Sequence, residues 1–201
     1  MKKYLFVFAV IQIFVMSFLF SSFCAASEKP EPFDTFFERF INGFNKKNST
    51  VINECVNSDY GFFVLDNPGA FWVAEHLNSF EEIMKRDGEY GIAYLKVLKV
   101  ECDYVKGKAP VYSCEEEKWN KEGCFLDKKP KLPVSKIYKS MIEYQLGDEN
   151  ELKSKFELAK KSESKISHLV YSTNSNVGFY FGIVDGKWFL FCIDKISPCS
   201  A

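Results

Sequence analysis

The chain opens on an unbroken apolar run. Tyr4 to Phe20 contains no charged side chain, follows Met1-Lys2-Lys3, and gives way to Ser21-Ser22-Phe23-Cys24-Ala25-Ala26-Ser27. A positive start, an apolar centre and a small-residue exit make a secretory signal peptide, and cleavage after Ala26 puts Ala26 and Cys24 at the −1 and −3 positions. Cleavage after Ser27 fits nearly as well. The run is also close to the length of a short membrane-spanning helix, so it is the flanks that favour cleavage. A lipid-modified Cys24 is the less favoured alternative, because bulky Phe23 stands where lipoprotein signals carry a small residue. The expected organisation is a signal peptide over residues 1–26 and a single globular domain over 27–201, exported to the periplasm or the exterior, with no membrane span after cleavage.

After the polar linker at residues 27–32 the pattern becomes helical. Phe33, Phe36, Phe37, Phe40, Ile41 and Phe44 recur at spacings of three and four, which predicts an amphipathic helix laying a phenylalanine stripe on a core. Asn48-Ser49-Thr50 predicts the cap of a short second helix reaching about Val56. Asn48 also begins an N-x-T sequon, which is read here as a cap. Strands are expected at Phe62–Leu65 and Ala70–Leu77, separated by the turn signal Asp66-Asn67-Pro68-Gly69. Ser79-Phe80-Glu81-Glu82 is a capping box opening a helix to about Arg86. Ile92, Tyr94, Val97, Val100 and Cys102 interleave with charged residues and predict a strand over Tyr90–Val105.

Lys106 to Pro133 is irregular, rich in Pro, Gly and charge. Helices follow over Val134–Leu146 and from Asp148 to about Lys161, the second heavily charged and largely exposed. Three strands close the chain: Ile166–Ser172, Val177–Val184 and Lys187–Ile193, the last two joined by Asp185-Gly186, a favoured two-residue hairpin turn. Trp188, Leu190 and Cys192 are expected to share a face. The fold class is α+β, a curved antiparallel sheet packed by N-terminal and inserted helices.

Composition narrows the functions. With Lys2 and Lys3 removed, 24 basic side chains face 27 acidic ones, which leaves no electrostatic footprint for nucleic acid. Of seven cysteines, cleavage discards Cys24 and leaves Cys55, Cys102, Cys114, Cys124, Cys192 and Cys199, an even number that suits disulfides in an exported chain. A bridge from Cys114 to Cys124 would order the irregular segment, whereas Cys55 and Cys192 lie in apolar periodic stretches and read equally as buried thiols. No C-x₂-C pair occurs and the two histidines, His76 and His168, are far apart in sequence, so no metal site and no cofactor is expected.

Two stretches carry a resemblance. Gly69-Ala70-Phe71 through Ser79-Phe80-Glu81-Glu82-Ile83, and the hairpin Val184-Asp185-Gly186-Lys187-Trp188-Phe189-Leu190, are similar to the strand–helix entry and closing hairpin of the NTF2-like superfamily. That resemblance implies a sheet curved into a cone able to hold a small molecule or a partner. Asp59 to Leu65 with Asn67-Pro68-Gly69, Pro110 to Cys114, and Cys199 to Ala201 resemble stretches of uncharacterised secreted proteins of Bacteroides-type bacteria, a likeness that implies no activity.

The reading that follows is an exported, non-catalytic module binding a small molecule or a protein, with Trp188, His76 and Tyr180 as candidate ligand contacts and no catalytic set. The alternatives are a structural envelope-associated domain, and a small hydrolase- or isomerase-type enzyme using His76 or His168 as base beside a carboxylate such as Asp66 or Glu75. Adjacent strand residues face opposite ways, which separates Glu75 from His76.

Overall fold

The computed structural model describes residues 29–69, 71–87 and 91–195. The segment expected to be a signal peptide, Cys24 and Cys199 lie outside the described residues. Five helices are found among them: α1 (Phe33–Asn45), α2 (Ser49–Asn53), α3 (Phe80–Met84), α4 (Val134–Glu143) and α5 (Glu149–Glu163). The strands are β1 (Phe62–Asp66), β2 (Val73–Leu77), β3 (Val105–Lys106), β4 (Tyr112–Ser113), β5 (Lys118–Trp119), β6 (Cys124–Asp127), β7 (Ile166–Ser172), β8 (Val177–Val184) and β9 (Lys187–Lys195). Seven strands form one open sheet in the order β2-β1-β9-β8-β7-β6-β3, while β4 and β5 pair separately. The pairs β1–β9 and β3–β6 are parallel and the rest of the sheet is antiparallel. The α+β class with a mostly antiparallel sheet stands as expected. No helix among the described residues is long and apolar enough to cross a membrane.

Both faces of the sheet are covered. On the first, Phe36, Phe37, Phe40 and Phe44 of α1 meet Phe179, Phe181, Trp188 and Leu190 of the closing hairpin. Ring centroids of Phe40 lie 5.2 Å from Phe179 and 5.1 Å from Phe181, edge to face, the arrangement aromatic quadrupoles favour. On the second face, Val134, Ile137, Tyr138 and Met141 of α4 and Leu152 and Ala159 of α5 cover Phe63, Leu65, Leu169, Tyr171, Tyr180 and Cys192.

The short motifs fold as their chemistry dictates. The Asn48 side chain accepts from the Val51 amide and starts α2. Ser79 and Glu82 form the reciprocal capping box of α3. Asp148 accepts from Glu151 N at the start of α5. Helix α1, in contrast, has no side-chain cap. Its start is fixed by the indole N–H of Trp188, which donates to Glu31 O at 2.9 Å, and by Arg39, paired with Glu31 at 2.6 Å.

Three expectations are corrected. The strand predicted over 90–105 is a 3₁₀ segment, Gly91–Lys96, followed by extended chain that joins the sheet only at β3, with Tyr90 outside the described residues. The apolar alternation there is real, because Leu95, Leu98 and Val100 are buried against the first face. What differs is the backbone partner. The Asn45 carboxamide accepts from Val100 N and donates to Val100 O, each at 2.8 Å, and so takes the place of a neighbouring strand.

Second, Trp188 and Leu190 share a face but Cys192 does not. Tyr180 pairs with Cys192 and Phe181 with Leu190, so Phe191 is an extra residue, a β-bulge that reverses the alternation. Third, Cys124 is bonded to Cys102, not to Cys114. The extended chain before β3 brings Cys102 beside β6, where the two Cα atoms are 5.4 Å apart. Cys114 is disulfide-bonded as well. Cys55 and Cys192 are buried free thiols in the clusters on opposite sides of the sheet, which keeps them from pairing.

Two outcomes follow for stability and redox state. Asp185 (φ 48°) and Gly186 (φ 77°) both occupy the left-handed region, as a type I′ turn requires. In chemical denaturation Gly186→Val should therefore cost about 1–3 kcal/mol. Trp188 is 8% exposed, and Trp188→Ala should cost about 3–5 kcal/mol. A neutral Gly186→Val variant would contradict the turn. In the denatured, unreduced protein, Cys55 and Cys192 should react with a thiol reagent while Cys102, Cys114 and Cys124 do not, as peptide mapping can show; labelling of Cys102 or Cys124 would contradict the bridge.

Candidate functional site

The three residues singled out from the sequence do not converge. Trp188 lies on the first face, with its ring 4.9 Å from Phe33 and 4.7 Å from His168. Tyr180, 5% exposed, lies on the second face under the α4–α5 layer. His76 stands on β2 opposite Phe63, with its ring 5.0 Å from that ring.

Both histidines are engaged locally. His76 Nε2 is 2.8 Å from Tyr60 O. That approach needs Gly61, whose φ of +58° and missing side chain leave the space, since a Cβ there would come within 2.6 Å of His76 Nε2. His168 Nδ1 is 2.9 Å from Ser167 Oγ, and its ring is 4.6 Å from Phe33. Burial holds the pKa of each below the usual histidine value, with Lys155 adding to the effect at His76 and Lys128 at His168. Asp66 is paired with Lys195 at 3.1 Å, and Glu75 with Arg86. No group of three potential metal ligands converges among the described residues.

Beneath α4 and α5 lies a polar set in the second core. Tyr138 OH, Ser162 Oγ and Asp194 Oδ1 are buried without a hydrogen-bond partner among the described residues. Asp194 retains some exposed surface as a residue, but this oxygen has none. Burial pushes its pKa up to about 7 and pushes those of Tyr180 and Cys192 upward too. These raised values leave the phenol and the thiol protonated at neutral pH and short of nucleophilic character.

Concavities of about 420 and 380 Å³ open beside Tyr94 and Asn174 and beside Ile41 and Tyr104. Two more lie around β2, the last strand on its side of the sheet. One is a cleft of about 490 Å³ on the first face, formed by Val64, Asp66 and Glu75 with Arg86, Asp87 and Ile92 above them; it reaches round the strand to Met141 of α4. The other is a groove of about 270 Å³ between the residues entering β2 and helix α4, lined by Phe71, Trp72, Ile137, Tyr144 and Leu146, with Lys136 at its side. Phe71, Trp72, Tyr144 and Leu146 are between 38% and 57% exposed, and the rings of Phe71 and Tyr144 are 4.5 Å apart.

The sequence gives little sign of this margin. Phe71 and Trp72 fall within the strand expected over 70–77, although Pro68-Gly69 just before them signals a turn. Tyr144 and Leu146 fell in the predicted helix, which ends at Glu143. No protein-family profile, curated protein or solved structure matches the chain.

The Asp194 carboxyl sets a pH dependence of known sign. Its folded pKa, about 7, is above its unfolded value near 3.8, so the stability it contributes is present below pH 3.8 and is lost as pH rises toward 7. Asp194→Asn should flatten the fall in stability over that window, measured as urea midpoints against pH. An unchanged profile would show that the carboxyl is not held protonated.

Proposed function

We propose that the chain is an exported, non-catalytic binding module that takes its ligand along the outer margin of β2. The observation that carries this reading is the cluster of Phe71, Trp72, Tyr144 and Leu146, four large apolar side chains held at the surface around a groove. Apolar patches of this kind are costly to leave in water and mark sites of contact. The neighbouring cleft adds convergent polar groups in Asp66, Glu75, Arg86 and Asp87, which is the usual composition of a recognition site.

Export rests on the N-terminal pattern and is supported by the Cys102–Cys124 disulfide, which suits an oxidising compartment. Binding is preferred to catalysis because His76 hydrogen-bonds to a backbone carbonyl and His168 pairs with Ser167 between aromatic rings, leaving neither set on a carboxylate. An NTF2-like architecture would place the ligand inside a cone. We place it at the sheet margin, because the side chains on both faces are packed into core.

A photoreactive benzoylphenylalanine in place of Trp72, introduced into the exported protein, should give a discrete adduct on irradiation in its native compartment. The same group in place of Lys153, an exposed residue on α5, should give none. Equal labelling at both positions, or none at Trp72, would overturn the reading.

A further inference from the structure

The geometry points to a defined occupant for this margin. We propose that it receives an extended segment of a partner protein, which adds a strand to the outer edge of β2 and directs cationic side chains to the first face and apolar side chains to the second. The inference rests on the binding reading above and names the partner's chemistry.

Three observations support it. The first is the edge. Strand β2 pairs with β1 through all five of its residues, Phe62 opposite Leu77 to Asp66 opposite Val73, and no described strand lies on its other side. An edge strand presents backbone N–H and C=O groups outward, and an extended peptide satisfies them by continuing the ladder.

The second is the placement of the two concavities. Side chains of an added strand alternate between faces. Here the first face offers the cleft lined by Glu75 and Asp87, and the second offers the groove of Phe71, Trp72 and Tyr144. Both border the beginning of β2, so consecutive residues of one extended segment reach both.

The third is charge. Asp66, Glu75 and Asp87 line the cleft with Arg86, and Lys195 is bound to Asp66. Lys96 also reaches this rim, its ammonium donating to Arg86 O. Arg86 is taken by Glu75 and Lys195 by Asp66, and Asp87 has no ion-pair partner among the described residues. A lysine or arginine entering the cleft would meet the Asp87 carboxylate. On the other face Lys136 stands beside the aromatic groove and disfavours a second cation there. These charges also argue against a second copy of this chain. Antiparallel self-pairing centred on β2 sets Glu75 against Glu75, and like charges directly opposite are destabilising.

The test uses the processed full-length protein and a labelled hexapeptide of alternating lysine and phenylalanine. Saturable binding in fluorescence anisotropy is expected. A glutamate–phenylalanine counterpart should bind at least about tenfold more weakly, as should the lysine peptide with alternate backbone nitrogens methylated, which can no longer extend the ladder. Asp87→Lys and Trp72→Ser alter exposed side chains, and each should weaken the lysine peptide at least about tenfold without shifting the melting temperature.

Equal binding of the methylated peptide would overturn strand addition. Equal binding of the glutamate peptide would overturn the charge assignment, and indifference to both variants would overturn the location. No binding at about 1 mM, or a concentration-dependent dimer that Glu75→Lys disrupts, would overturn the proposed partner. A Trp72 adduct in the crosslinking experiment with no peptide binding would sink this inference alone; loss of both would sink the binding reading as well.

Discussion

A sheet whose central strands are apolar on both faces has to be covered twice, and most of this structure follows from that constraint. Strand β8 sends Phe179 and Phe181 to one side and Tyr180 to the other, and β9 repeats the division with Leu190 and Cys192. Burying a side chain of this size contributes about 1.5–3 kcal/mol, so neither side can be left to solvent without losing much of the stability of a small domain. Helix α1 with its phenylalanine stripe satisfies one face, and the α4–α5 pair satisfies the other. The second cover is less well matched to what lies beneath it. It traps Tyr138 OH, Ser162 Oγ and Asp194 Oδ1 without partners among the described residues, each a cost that the surrounding apolar burial must offset.

The first cover is wider than α1 alone, and the chain extends it economically. Between the 3₁₀ segment and β3 the polypeptide runs extended over the core, burying Leu98 and Val100 while Val97 and Val105 stay exposed. So little apolar burial cannot by itself hold a long segment in place. Two other interactions do so: the Asn45 carboxamide grips both backbone groups of Val100, and the Cys102–Cys124 bridge ties the segment to β6 across 22 residues. Closing a loop of that length removes denatured-state entropy equivalent to about 3 kcal/mol. The bridge thus sits where hydrophobic packing is thinnest, while the two sites with ample packing, Cys55 and Cys192, keep free thiols.

Much of this was legible in the sequence where the determinants are local. The helical stripe of α1, the Asn48 and Asp148 caps, the Ser79–Glu82 capping box and the Asp185-Gly186 turn each need only a few neighbouring residues to fold, and each is present. The illegible parts depend on distant residues. Alternation over 90–105 could not show that a helix side chain, Asn45, would take the place of a strand partner. Nothing near Phe191 announced the bulge that sends Leu190 and Cys192 to opposite faces. Six cysteines allow many pairings, and nothing local to Cys124 points to Cys102 as its mate. The candidate site suffered most. Trp188 looked like a ligand contact but anchors the start of α1 through Glu31, whereas Phe71 and Trp72 looked like strand core but lie before the strand, at the surface.

The same constraint accounts for where an unfilled margin remains. Helices can cover the faces of a sheet, but its edges must be managed separately. At one edge β3 is only two residues long and the Cys102–Cys124 bridge lies beside it, so little ladder is offered. At the other edge β2 presents five residues, and its defences are of a different kind. Glu75 sits at the centre of the strand and is held by Arg86, a charge that resists pairing with an identical edge. Helix α4 flanks the second side, yet it ends at Glu143 and leaves Tyr144 and Leu146 beyond its last turn, facing Phe71 and Trp72 across a groove. A margin whose only purpose was to remain single would be polar throughout. This one combines a charge that rejects its own kind with aromatic surface that is unfavourable in water, and the proposed strand addition rests on that combination.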